Sequence, residues 1–263
     1  MNWFYDTSVW ISLPLFVGGF VAVSCLIVVG LRPVVQRYVT DFKEWDRALA
    51  HVIGTFGVFF GILLALVAVS VYENFADTRK ATIEEAADAG ALYRATTGLP
   101  DGLDGPMQRV LDEYMHTVIE VDFPDQARGV LPDASDAQID EFERLLHTVE
   151  ADTRGDQAEF QQALATFDDL IESRRARIDA TALALPPLFW LVIWVGAAVT
   201  AVLIAFIHFG NPRLHLVMAG LLALFVGLVI FVTADMDHPY AGAISIGPGA
   251  YERVLEQIID PRQ

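Results

Sequence analysis

Two carboxylates and an imidazole within four positions, Asp235, Asp237 and His238, form a group with the ligand chemistry of a divalent-cation site. The same residue types also cap helix ends at a water interface. Glu73 stands where an apolar run ends, as an interfacial group or as a charge selector at a pore mouth. Phe56, Phe60 and Leu64 repeat every four residues. In a ring of subunits such a stripe makes a hydrophobic constriction that gates by dewetting; in a single subunit it is packing bulk or a lipid-facing surface. On a neighbouring face lie Gly54, Gly57 and Gly61. The pair Gly57 and Gly61 has the small-xxx-small spacing that lets a second helix approach closely. Catalytic chemistry is not encoded in any comparable way. There is no Gly-rich phosphate loop after a strand, no nucleophile elbow and no HExxH, and the six histidines are scattered without pairing to the single cysteine, Cys25. The expectation is a protein that is not an enzyme and uses no cofactor.

The elements that carry these residues are set by hydropathy. Four apolar runs, Val9–Leu31, Leu49–Val71, Leu188–Ile207 and Leu214–Thr233, contain no Asp, Glu, Lys or Arg. A helix of about 20 apolar residues crosses a bilayer core, and each run is long enough. The predicted fold class is therefore an all-α integral membrane protein, with four transmembrane helices and an extramembrane helical bundle between helices 2 and 3. The predicted organisation is residues 1–75 for helices 1 and 2, 76–186 for an acidic soluble domain, 187–235 for helices 3 and 4, and 236–263 for a tail with a short amphipathic helix. The first run is preceded by Asp6 rather than a basic region and has no small-residue cleavage site, so it reads as a retained span.

Charge is concentrated between the pairs of spans. Residues 76–186 hold 24 acidic and 10 basic side chains, net −14 of the chain's −17. Such a surface repels nucleic acid and anionic lipid, which excludes a nucleic-acid role, and it attracts cations. It also simply keeps a helical bundle soluble.

Along the chain, Trp3, Phe4, Tyr5 and Trp10 suit the headgroup level before span 1, which is expected to end at Arg32-Pro33. The stretch Val34–Ala48 reads as a short interfacial helix. Helix 2 is expected to run on to about Thr97, where Gly98, Leu99 and Pro100 stop it. In the soluble part, Met107, Val110, Leu111, Tyr114, Met115, Val118 and Ile119 recur at helical spacing, with Pro124 as the end of that helix. Ser135 and Gln138 form a capping-box pattern before Ile139, Phe142, Leu145, Leu146 and Val149. A further helix bears Phe160, Leu164, Phe167, Leu170, Ile171 and Ile178, and runs through Arg174, Arg175 and Arg177 toward the bilayer. Pro186-Pro187 breaks it before span 3. A turn at His208–Arg213 joins spans 3 and 4, and Gly242–Gly249 precedes a last amphipathic helix with Tyr251, Val254, Leu255, Ile258 and Ile259. Sidedness stays open. Short loops place Arg32, Arg37, Lys43, Arg47 and Arg213 inside, whereas Arg79, Lys80, Arg174, Arg175 and Arg177 argue for a cytoplasmic acidic domain.

A series of short motifs falls in a recognisable order: Tyr72-Glu73, Leu92-Tyr93-Arg94, Leu99-Pro100, Leu185-Pro186-Pro187, Asp237-His238-Pro239 and Pro248. Over nearly the whole chain this series resembles the bestrophin-like membrane proteins of bacteria and plants, which carry a domain of unknown function. The family name links them to the bestrophins, pentameric anion channels with four spans per subunit, a helical cytosolic region and a hydrophobic neck on the second span. The resemblance implies an oligomeric, pentameric channel permeable to anions such as chloride, in the bacterial inner membrane. Helix 2 would line the pore, and Phe56, Phe60 and Leu64 would form its neck. Its partners would be lipid, further copies of the chain and inorganic ions. The sequence departs from the bestrophins in having no clear match to their proline-containing neck or to their acidic calcium-binding cluster. A net −14 vestibule keeps a cation-permeable or non-selective pore as an alternative. A non-conducting scaffold or sensor, whose acidic domain binds a partner, is the reading from another class. A motor-stator-like subunit is a third.

Overall fold

The computed structural model describes residues 8–38, 42–99, 102–207 and 210–259. The expected features at Trp3, Phe4, Tyr5, Asp6, Pro100 and His208 lie outside these residues. Among the described residues there are nine α-helices and several shorter 3-10 and π turns, with no strand. In chain order they are α1 (Val9–Tyr38), α2 (Phe42–Ala95), α3 (Asp104–Thr117), α4 (Phe123–Ala127), α5 (Asp136–Leu146), α6 (Arg154–Asp179), α7 (Pro187–Ala205), α8 (Pro212–Met236) and α9 (Gly249–Val254). Four of them, α1, α2, α7 and α8, are long and apolar enough to cross a membrane. The chain is an all-α membrane protein with four spans, as the apolar runs imply.

Two compact units divide the chain. One comprises Met1–Glu73 and Ala184–Asp237, the other Asn74–Leu183 and His238–Gln263. The second unit thus includes the tail, which the sequence reading set apart.

In the membrane unit, α1 packs along α8 and α7. Small residues permit the close approaches. A Cβ on Gly227 would stand 3.1 Å from the Phe20 ring, and one on Gly196 would stand 2.2 Å from the Phe60 ring. The core gathers Leu64, Val67 and Val71 of α2 with Ile193 and Ala197 of α7 and Val226 and Ile230 of α8. At the other end of the spans, the Trp45 indole N–H donates to the Phe206 carbonyl at 3.2 Å. Among the described residues the expected interfacial helix is not a separate element. Residues up to Tyr38 prolong α1 past Pro33, and Phe42 onward already belong to α2. A proline removes one donor without forbidding helical φ, and Pro33 is carried inside α1.

Three local differences occur in the acidic unit. Pro124 does not end α3: the chain passes through a π turn at Val118–Asp122 and re-enters α-helix at Phe123. The Phe123 N–H bonds back to the Val118 carbonyl, and this wider turn accommodates a proline that would clash in a regular helix. Ser135 makes no side-chain cap on α5, because its hydroxyl donates to Asp122 instead, at 2.6 Å. The capping box is at Thr153 and Asp156, before α6. Helix α2 ends as a helix at Ala95, followed by a 3-10 turn through Gly98.

The tail is fastened into the same unit. Gly242 adopts φ 90°, a left-handed value that suits glycine, and turns the loop. The Ile246 N–H closes it onto the Pro239 carbonyl at 2.8 Å. Tyr240 and Tyr251 both meet the Phe123 ring edge-on. Gly90 leaves room for Val254 and Ile258, each within 2.9 Å of where a Cβ would be.

Candidate functional site

Within the membrane unit, α2 separates its residues by direction. Phe56 stacks on Phe60 with ring centroids 5.8 Å apart, and Phe60 fills the notch at Gly196. Leu64 is buried in the core with Val67 and Val71. The stripe proposed as a neck therefore faces the subunit's own α7 and α8. The opposite side of α2 is uncovered. Thr55, Val58, Ile62, Leu66, Val69 and Glu73 are all exposed and recur at three- and four-residue steps, which places them in one seam. Gly54, Gly57 and Gly61 flank that seam, and nothing lies within 4 Å of a Cβ built on any of them. Within the chain 17% of the apolar part of α2 is buried, the same share as in α1, against 39% in α8. Glu73 is exposed at the end of the seam.

The three candidate metal ligands have other surroundings. Asp237 accepts from the Leu185 N–H at 2.7 Å and from the Trp190 indole N–H at 3.2 Å, so both its oxygens are engaged in anchoring the start of α7. Asp235 is buried in the last turn of α8, and His238 is exposed. Among the described residues no group of three or more His, Cys, Asp or Glu side chains is arranged to hold a metal ion.

In the acidic unit, a charge cluster is sealed from water. Arg177, Glu85 and Asp122 are each 0% exposed. The Arg177 Nε donates to Glu85 at 2.6 Å, Nη1 to the Gln126 side-chain Oε1 at 2.7 Å and Nη2 to Asp122 at 3.2 Å. Its guanidinium carbon lies 5.8 Å from the Phe123 ring centroid, a cation–π contact. Tyr114 donates its hydroxyl to Glu85, and Tyr240 donates to the Arg177 carbonyl at 2.9 Å. Arg174 reaches the rim, donating to the Ser135 hydroxyl at 2.9 Å. Burial alone would drive the charge off Arg177, but the Glu85 carboxylate, together with Tyr251 and Tyr114, outweighs burial and holds the guanidinium firmly protonated. Burial, reinforced by the Glu85 charge, pushes the Tyr114 and Tyr251 phenols well above their ordinary range. Burial pushes Tyr240 up to about 12.

This cluster ties α2, the π turn after α3, and α6 together. No nucleophile or exposed acid–base pair is part of it, so its chemistry is that of a lock. The sequence reading missed it, and placed Arg177 with its neighbours at the membrane surface. A signal was present. Glu85 lies in register with Ala81, Ala89 and Leu92; Asp122 with Met115 and Val118; Arg177 with Leu170 and Ser173. A charged residue at a core position on each of three helices, with compensating signs, is the pattern of a buried ion-pair network.

No curated protein matches this chain. The family model described as the Bestrophin-like domain matches residues 18–251, from the first span to the start of the last helix. That match takes in the first span from residue 18, the other three spans, the acidic helices and the motifs from Tyr72-Glu73 to Pro248, and the chain belongs to the bestrophin-like family.

Proposed function

We propose that the chain is the subunit of an oligomeric ion channel whose pore runs along the uncovered seam of α2. The observation that carries this reading is the seam itself: Thr55, Val58, Ile62, Leu66, Val69 and Glu73, exposed and directed away from the subunit's own core. Copies arranged in a ring, five in the bestrophin analogy, would bring these seams together. Val58, Ile62, Leu66 and Val69 would then form an apolar constriction of the dewetting kind, with a ring of Glu73 at one mouth. Gly54, Gly57 and Gly61 would let the neighbouring subunit's helix approach. This reading takes the neck to lie along that seam rather than at Phe56, Phe60 and Leu64.

The resemblance to bestrophins points to an anion such as chloride. A second reading, cation permeation, is favoured by Glu73 on the seam and by the −14 charge of residues 76–186, because fixed carboxylates concentrate cations and repel anions. Current across a planar bilayer holding the purified protein, under a KCl gradient, tests both. Reversal at the chloride potential supports the first reading and reversal at the potassium potential the second. Silence from inserted, oligomeric protein would overturn both in favour of a membrane-anchored scaffold.

A further inference from the structure

The acidic unit contains an open pocket of ≈ 450 Å³ whose charged lining is basic. One wall is the face of α2 just beyond its apolar run, with Phe75, Arg79 and Ile83. The other is the loop after Pro239 and the start of α9, with Ile244, Ile246 and Arg253. The loop wall is fixed by the Ile246-to-Pro239 bond. Arg253 folds back toward it, its Nη1 lying 3.6 Å from where a Cβ on Gly249 would be.

Arg79 and Arg253 make no ion pair among the described residues, and both are exposed. Elsewhere in the unit Arg128, Arg144, Arg174 and Arg177 each hold a carboxylate. Two arginines that line one pocket without an ion pair among the described residues form a receptor for an anionic group, and the fork geometry of arginine suits a phosphate. The remaining lining combines the Thr82 and Ser245 side chains with the apolar Phe75, Ile83, Ile244 and Ile246, of which Ile83 and Ile244 are 45% and 46% exposed. A free inorganic anion gains nothing from such walls, whereas an amphiphile does. Phe75 is also only four residues beyond Val71, the last residue of the span 2 apolar run.

We propose that this pocket binds the phosphate of a membrane phospholipid, with Arg79 and Arg253 on the phosphate and Phe75, Ile83, Ile244 and Ile246 on the apolar body. The negative field of the surrounding unit disfavours a ligand of net negative charge, so a zwitterionic headgroup such as phosphatidylethanolamine suits the site best. Its ammonium group would meet Glu252, whose Oε2 lies 3.9 Å from where a Cβ on Gly249 would be. The proposal does not depend on ion conduction.

Native mass spectrometry of the detergent-solubilised oligomer, titrated with a phosphatidylethanolamine, tests it alongside a parallel titration with inorganic phosphate. The expected result is saturable lipid binding, weakened roughly tenfold or more in the Arg79→Gln/Arg253→Gln variant and largely restored in Arg79→Lys/Arg253→Lys. Both positions are exposed, and circular dichroism of each variant reports whether the fold is retained. Equal lipid affinity for the wild type and the Gln variant would overturn the proposal. Inorganic phosphate that binds the wild type as tightly as the lipid, and is lost in the Gln variant, would keep the phosphate site and overturn the lipid as its source.

Discussion

Arg177 shows how one residue can organise a domain. Its guanidinium holds two carboxylates, Glu85 and Asp122, that would otherwise be buried without a counter-charge. Removing one partner from such a group costs about 3–5 kcal/mol, more than the pair's net contribution, because the remaining charges stay desolvated. Arg177→Ala should therefore destabilise the acidic unit by about that amount, read as a lowered thermal midpoint of helical circular dichroism. Arg177→Met combined with Glu85→Gln and Asp122→Asn should recover most of the loss. The tyrosines give a second expectation. The Tyr240 phenol titrates near 10 when unfolded and is raised to about 12 in the fold. Its contribution is complete below pH 10 and is lost as pH rises toward 12, at about 1.4 kcal/mol per pH unit. Thermal midpoints measured between pH 8 and 12 should fall, and Tyr240→Phe should flatten that fall after losing roughly 1 kcal/mol at neutral pH with its hydrogen bond. These residues were hard to find in the sequence because a lone charge in a helical stripe reads as solvated. Only the pairing of three stripes makes Glu85, Asp122 and Arg177 a unit, and that pairing is tertiary information.

At the scale of elements, hydropathy made the four spans and the long α2 legible, and helical periodicity recovered the acidic helices. Junctions were less so. Pro124 reads as a stop, yet a π turn carries the helix past it. Ser135 has the composition of a cap, yet a buried carboxylate competes for its hydroxyl and wins. Both outcomes depend on neighbours remote in sequence. Phe56, Phe60 and Leu64 share one stripe, as their spacing says, but spacing cannot tell which side of a helix meets α7. That packing has a direct test at Gly196, whose notch holds the Phe60 ring. Gly196→Ala should destabilise the membrane unit by about 1–3 kcal/mol, because the ring must move. Gly57→Ala, with nothing within 4 Å of the new carbon, should leave the isolated subunit unchanged in the same thermal assay.

For the whole molecule, the order of spans, the acidic segment and the family motifs were all legible from the chain, and the match across residues 18–251 agrees with them. What composition could not reveal was the incorporation of the tail into the acidic unit, which rests on Tyr240, Tyr251 and the space left at Gly90. The proposed pore follows from a property of the single subunit, the uncovered seam of α2. The most direct measurement of it is current through bilayers containing an Ile62→Cys variant in a Cys25→Ser background, before and after a charged thiol reagent, with Leu64→Cys as the comparison. A pore along the α2 seam predicts a conducting wild type, a current through Ile62→Cys that the reagent reduces, and a current through Leu64→Cys that it leaves intact. A current through Ile62→Cys that does not respond while Leu64→Cys does would return the pore to the inner stripe, and no current at all would contradict the channel.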